Sequence, residues 1–184
     1  MIIREKEFCV NSLYYSIRSA SPVDAEELAH LRVKIDGETE NLDRESGEDV
    51  LDPTSFEQLI QADSQSPRNL FLISQTEDRI IGYSRCEGNN LKRLTHQVEF
   101  GVCVLKEYWG YKIGTQLLLE SIAWADSSQI KKMALKVLET NEKAIKLYQK
   151  NGFEIEGILK MDKLLSDGKF YNTIIMGRFH AESF

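Results

Sequence analysis

Gly110, Lys112 and Gly114 sit where a β-alternating run gives way to a helical one, and this junction is the clearest chemical feature of the chain. Val98 to Leu105 alternates β-branched and aromatic residues as a strand does, and Gly110 to Ser127 has the pattern of one long helix. A strand that leads into a glycine-bearing helix start presents several unpaired backbone N–H groups at the positive end of a helix dipole. Such a place attracts anions, and a phosphate or pyrophosphate is the natural guest. Lys112 would add a charge beside those amides. The chain holds no Gly-x4-Gly-Lys-Ser/Thr run, which argues against a nucleoside-triphosphate P-loop. Strand–glycine–helix junctions also serve simply to turn the chain, so the junction alone leaves both readings open.

Asn141 and Tyr148 form the second feature. They stand seven residues apart, about two helical turns, so both side chains share one face. On spacing alone Tyr148 reads as a core aromatic whose hydroxyl finds one partner.

The elements that must position these residues follow from periodicity and punctuation. Residues 1–14 read as an N-terminal arm or an extra strand. Tyr15 to Ser19 reads as a strand. Ser21 and Pro22 then start a helix whose first turn carries Asp24, Glu26 and Glu27, and which runs to about Ile35. Asp36 to Asp52 holds eight acidic residues against one basic, Arg44, and reads as a solvated segment. Phe56, Leu59 and Ile60 mark one face of a helix over 53–62. Two strands around 75–79 form a hairpin, and Gly88-Asn89-Asn90 turns the chain toward the central strand. Beyond the junction helix, Met133 to Leu138 is a strand and Glu142 to Lys150 a helix stopped by Asn151-Gly152. Phe153 to Leu164 and Lys169 to Arg178 are two last strands around the Ser166-Asp167-Gly168 turn.

Bulk numbers bound the class. With 184 residues, 42% of them hydrophobic, the chain suits one core rather than two. No apolar run approaches the roughly 20 residues that span a bilayer, and the N-terminus has no signal-peptide block, so the expected location is cytoplasmic and away from membranes. Three scattered cysteines, with no CxxC pair or histidine cluster, predict reduced thiols and no metal site. A net charge of −6 argues against nucleic acid as a partner and fits a cationic small substrate better.

Asn141 to Phe153 resembles the second signature of the GNAT superfamily of acetyl-CoA-dependent N-acetyltransferases. Tyr108 to Thr115 resembles the pyrophosphate loop of that family, and Ile17 to Leu28 its opening strand and first helix. The resemblance covers residues 15–180. It implies a single GNAT-like α/β (α+β) domain: a mixed, mostly antiparallel central sheet with splayed central strands, flanked by helices. The cosubstrate implied is acetyl-CoA, with no metal. The implied cofactor residues are Val102 and Val104 on the central strand, Trp109, Gly110, Lys112, Ile113, Gly114 and Thr115 in the loop and helix start, and Asn141 and Tyr148 on the later helix. Trp109 takes the place of the family's usual Arg or Gln, and Lys112 that of its usual first glycine, where positive φ or close backbone approach is served.

The family match reverses the plain reading of Tyr148, making it the general acid for the departing thiolate, while Asn141 contacts the pantetheine arm. Transfer to an amine also needs a base. Glu99 matches a position where many members carry a catalytic Glu, with His96 the nearest alternative and an exposed strand-end carboxylate the plain reading. A backbone N–H near Val104 is the implied oxyanion donor. Cys103 reads as a small buried hydrophobe, with a transiently acetylated thiol as the sharper alternative. The acidic segment borders the acceptor pocket in this family, which points to a cationic amine, either a small molecule or a protein or peptide amino group. The expected activity is direct N-acetylation of a primary amine in a ternary complex. The alternative is a non-catalytic acyl-CoA-binding or regulatory module. Acceptor identity stays open, as does the choice between monomer and homodimer.

Overall fold

Three pairs of successive strands here are joined by short polar turns, which favours antiparallel neighbours at those places. The computed structural model describes residues 2–180 and shows eight strands and four α-helices over them. In chain order these are β1 (Lys6–Val10), β2 (Leu13–Ser19), α1 (Ala25–Asp36), α2 (Pro53–Gln65), β3 (Leu70–Gln75), β4 (Ile80–Gly88), β5 (Gln97–Val104), α3 (Ile113–Ser127), β6 (Lys132–Leu138), α4 (Glu142–Lys150), β7 (Phe153–Leu164) and β8 (Phe170–Phe179). They form one sheet in the order β1-β2-β3-β4-β5-β6-β8-β7. Every neighbouring pair is antiparallel except β5 and β6, which run parallel.

That parallel pair needs a crossover, and α3 supplies it. Ile113, Leu117, Leu118, Trp124 and Ala125 are buried along α3, and its Ser121 hydroxyl lies 3.3 Å from that of Ser84 on β4. Ser84 and Cys86 of β4 therefore share the α3 face with their register partners Val102 and Phe100 of β5. The opposite face carries Tyr83 and Arg85 with their partners Cys103 and Gly101. There α1 and α2 pack, tied down by Phe56 against Phe71 and by Arg85 on Asp63 of α2 at 2.6 Å. The core is thus split into two apolar layers, one on each side of the sheet.

The pairing of β5 with β6 is short. Only Gln97 with Lys132, Val98 with Met133 and Glu99 with Ala134 are in register. Beyond them β5 follows β4 as far as Val104, and β6 follows β8 as far as Leu138, so the two strands diverge toward their carboxyl ends. Ligands of open sheets with parallel strands characteristically bind at such carboxyl ends.

Candidate active site

The divergence leaves one edge of β5 without a strand partner. On the β6 side the His96 carbonyl accepts from the N–H of Lys131 and Lys132, whereas on the β4 side Leu105 donates to Ile81. Strand alternation then turns the main-chain groups of Phe100, Val102 and Val104 into the gap. The carbonyl of Val104 is taken by the Trp109 indole N–H at 2.9 Å. A cavity of about 610 Å³ opens here, within the range of small-molecule sites.

The loop that closes one end of the gap is built by two left-handed residues. A 3₁₀ turn at Lys106–Tyr108 leads to Gly110 at φ +92° and Lys112 at φ +60°. Neither conformation belongs to a right-handed helix, so α3 begins at Ile113 and not at Gly110 as the sequence pattern suggests. Lys112 is the N-cap and adopts the backbone geometry that a glycine would adopt freely. It is exposed, and among the described residues it has no ion-pair partner. Gly114 lies one residue inside the helix start. Among the described residues a Cβ there would meet only a Val104 methyl at 3.8 Å, so none of them demands glycine.

α4 brings the second feature to the same cavity. Asn141 caps the helix by accepting from Ala144 N–H at 3.3 Å, which occupies its carbonyl oxygen and leaves its NH₂ to donate elsewhere. Two turns on, Tyr148 is 8% exposed and packs on Phe153 at 5.7 Å. Burial pushes its phenol up to about 12, with Cys103 nearby adding to the rise. Among the described residues its hydroxyl makes no hydrogen bond. A core tyrosine with a satisfied hydroxyl does not look like this.

Val102, Val104, Trp109, Gly110, Lys112, Ile113, Gly114, Thr115, Asn141, Tyr148 and Glu99 all line this one cavity. Glu99 sits at the last register pair before the strands part, and its carboxylate is 3.7 Å from the Lys136 ammonium, both well exposed. His96 is exposed and lies outside the lining. Cys103 lines the cavity on the α1 face, where burial pushes its thiol up to about 11. A thiol so held is a poor nucleophile, which favours its reading as a small packed side chain.

The acidic segment borders the cavity through Asn41, Leu42, Asp43 and Arg44, yet most of its carboxylates serve the protein. Asp36 is buried and holds Arg44 at 3.0 Å, and Asp49 holds Arg32 at 2.9 Å. Glu38 accepts from Lys106 N–H and Glu40 from Ser166 N–H, at 2.7 and 2.9 Å. Asp52 caps α2, and Asp43 pairs with Lys163. Sequence reasoning missed Tyr83, Arg85, Lys136 and Lys163 as cavity residues. Arg44 was missed as well, although it carried a signal as the lone cation of an acidic run.

Known proteins share this fold. A model of the acetyltransferase (GNAT) family matches residues 37–153. The chain belongs to the GNAT family. This GNAT protein is 30% identical to an acetyltransferase of the family from Streptococcus pneumoniae, whose crystal structure it matches with a TM-score of 0.86 over 90% of this chain and 99% of that one. The structure of a phosphinothricin acetyltransferase from Sinorhizobium meliloti in complex with acetyl-CoA matches with a TM-score of 0.80, at 18% identity, over 91% of this chain and 89% of that one. An L-amino acid N-acetyltransferase of Escherichia coli is 29% identical over 108 residues, which span 58% of this chain and 66% of that relative, just under two thirds of its length.

Proposed function

We propose that this GNAT protein transfers the acetyl group of acetyl-CoA to a primary amine by direct attack in a ternary complex. The observation that carries the reading is the β5–β6 opening, with the N-terminus of α3 at one end and the unpartnered Tyr148 hydroxyl on its wall. The chain's own residues fit the cosubstrate. Lys112 and the first amides of α3 suit a pyrophosphate. The open edge of β5 and the NH₂ of Asn141 offer donors to an extended amide-bearing arm, and Gly114 leaves room for its close approach.

Bound acetyl-CoA would supply an activated acyl group as a thioester. The Val104 N–H, turned into the gap, is the donor for charge that develops on a carbonyl oxygen. Tyr148 carries its proton at neutral pH, as any tyrosine does, and its hydroxyl is unpaired among the described residues on the wall of the cavity, so it is the group that can protonate a departing thiolate. Glu99 takes the proton of the acceptor, directly or through water. An amino acid acceptor of the kind named for the E. coli relative falls within this class.

The test is acetyl-CoA-dependent release of free thiol across a panel of amines that spans amino acids, polyamines, aminoglycosides and peptide N-termini. Turnover on at least one amine is the expected result. Tight binding of acetyl-CoA with no turnover on any of them would leave a binding module instead.

A further inference from the structure

The cations around the cavity are not equivalent. Arg85 is fixed on Asp63 and also reaches Glu87 at 2.8 Å. Lys163 is paired with Asp43 and Lys136 with Glu99. Arg44 differs from all three. It reaches its single partner, Asp36, through Nε at 3.0 Å and Nη2 at 3.3 Å. A guanidinium has five N–H donors, and among the described residues the others on Arg44 have no protein acceptor.

The support behind it is rigid. The Asp36 side chain is 3% exposed, and the side chain of Arg32, itself 7% exposed, lies 3.9 Å from the same carboxylate. One carboxylate between two guanidiniums leaves positive charge in excess. Asp49 balances that excess from the Arg32 side, so what Arg44 offers the cavity is its remaining N–H donors, which among the described residues pair with no second carboxylate. Arg44 lines the cavity together with Tyr83, Gly101 and Cys103 of the sheet face, close enough to Tyr83 and Cys103 to interact with them electrostatically, and its side chain is 27% exposed. A Cβ on Gly101 would touch nothing within 4 Å, so the floor beneath it is open.

We propose that Arg44 determines acceptor specificity by binding a carboxylate carried on the amine, so that the acceptor is a zwitterion of the amino acid kind and not a plain cation. The proposal rests on the acetyl-transfer reading, with Glu99 serving the amine end while Arg44 serves the carboxylate. It also accounts for an acidic segment that borders the cavity but turns most of its carboxylates onto the protein. Lysine could not replace Arg44 fully, because an ammonium lacks the planar fork that grips a carboxylate while leaning on Asp36.

The experiment compares amino acids with their own carboxamides in wild type, Arg44→Gln and Arg44→Lys. Arg32 remains beside Asp36 in both variants, and melting curves check that each is folded. In wild type, kcat/KM should favour the carboxylates on the order of 10²-fold. Arg44→Gln should collapse that ratio to within about threefold through the KM of the carboxylates, and Arg44→Lys should fall between. A wild type indifferent to the carboxylate, or a glutamine variant that loses both substrates in parallel, overturns the assignment. Calorimetry of N-acetyl amino acids and N-acetyl amino amides on the protein–CoA complex asks the same question without turnover. A carboxylate preference there that Arg44→Gln abolishes, with no amine turned over, keeps Arg44 and discards acetyl transfer. Turnover without that preference does the reverse.

Discussion

Replacing Lys112 by glycine separates two properties that the native residue combines. Its φ of +60° and ψ of 14° are left-handed, which costs an L-residue about 1–2 kcal/mol. Glycine removes that penalty but adds about 0.5–1 kcal/mol of unfolded-chain entropy. The net gain is up to about 1.5 kcal/mol, or up to about 6 °C in Tm for a domain of this size. The same change deletes the cation at the N-terminus of α3, so acetyl-CoA affinity should fall about tenfold and become less sensitive to salt. Lys112→Ala is the partner experiment, since it removes the charge and keeps the strain. Both variants should lose affinity alike, and only the glycine variant should melt higher. Scanning calorimetry gives Tm, and isothermal titration at low and high salt gives Kd. A glycine variant that binds acetyl-CoA as tightly as wild type would refute the role of the charge, and one no more stable than alanine would refute the strain.

Gly114→Glu should weaken acetyl-CoA binding at least about tenfold with the fold intact, because the protein leaves room for a side chain there that a pyrophosphate would not; unchanged affinity by calorimetry would remove the loop from the site. Tyr148→Phe should lower kcat on the order of 10²-fold with little change in Tm, and full kcat with a lower Tm would return the hydroxyl to a purely structural role. The folded-state pKa values of Cys103, Cys86 and Tyr148 are raised to about 11, 12 and 12. The stability they contribute is therefore complete below about pH 9 and is lost as pH rises toward 12, by about 1.4 kcal/mol per pH unit for each group in its window. Urea midpoints measured from pH 7.5 to 10.5 should show that decline, and a flat curve would mean that these groups meet solvent. Asp36→Asn should cost about 3 kcal/mol in chemical denaturation, since it leaves Arg32 and Arg44 facing each other without their shared counter-charge.

The parts of the molecule governed by local rules were legible in the sequence. The helix Glu142–Lys150 has the expected bounds because Asn141 caps it and Gly152, at φ +86°, ends it. The seven-residue spacing of Asn141 and Tyr148 brings both to the cavity for the same local reason. The start of α3 was misplaced by three residues, because Gly110 and Lys112 look compatible with a helix until their φ angles are known. Arg44 lies between α1 and α2, Lys136 on β6 and Lys163 on β7, and the three line one cavity only through the tertiary fold. A run of eight carboxylates suggests an acidic surface, and no periodicity reveals that Asp36 faces inward to two arginines or that Glu38 and Glu40 cap distant turns.

The three-pair contact between β5 and β6 has a consequence for how the chain comes apart. On one side of it lie β1 to β5, joined in sequential antiparallel order; on the other lie β6, β8 and β7. The ladders that flank it, β4–β5 on one side and β6–β8 on the other, each hold seven register pairs against its three, and the joining pair forms only after α3 has closed a long loop. The two halves should therefore protect their amides from exchange as separate cooperative units, with the β5–β6 boundary opening at lower free energy than either interior. A molecule lodged in the gap would tie the halves together, and its clearest trace in a hydrogen-exchange map would be slower exchange on both sides of the boundary.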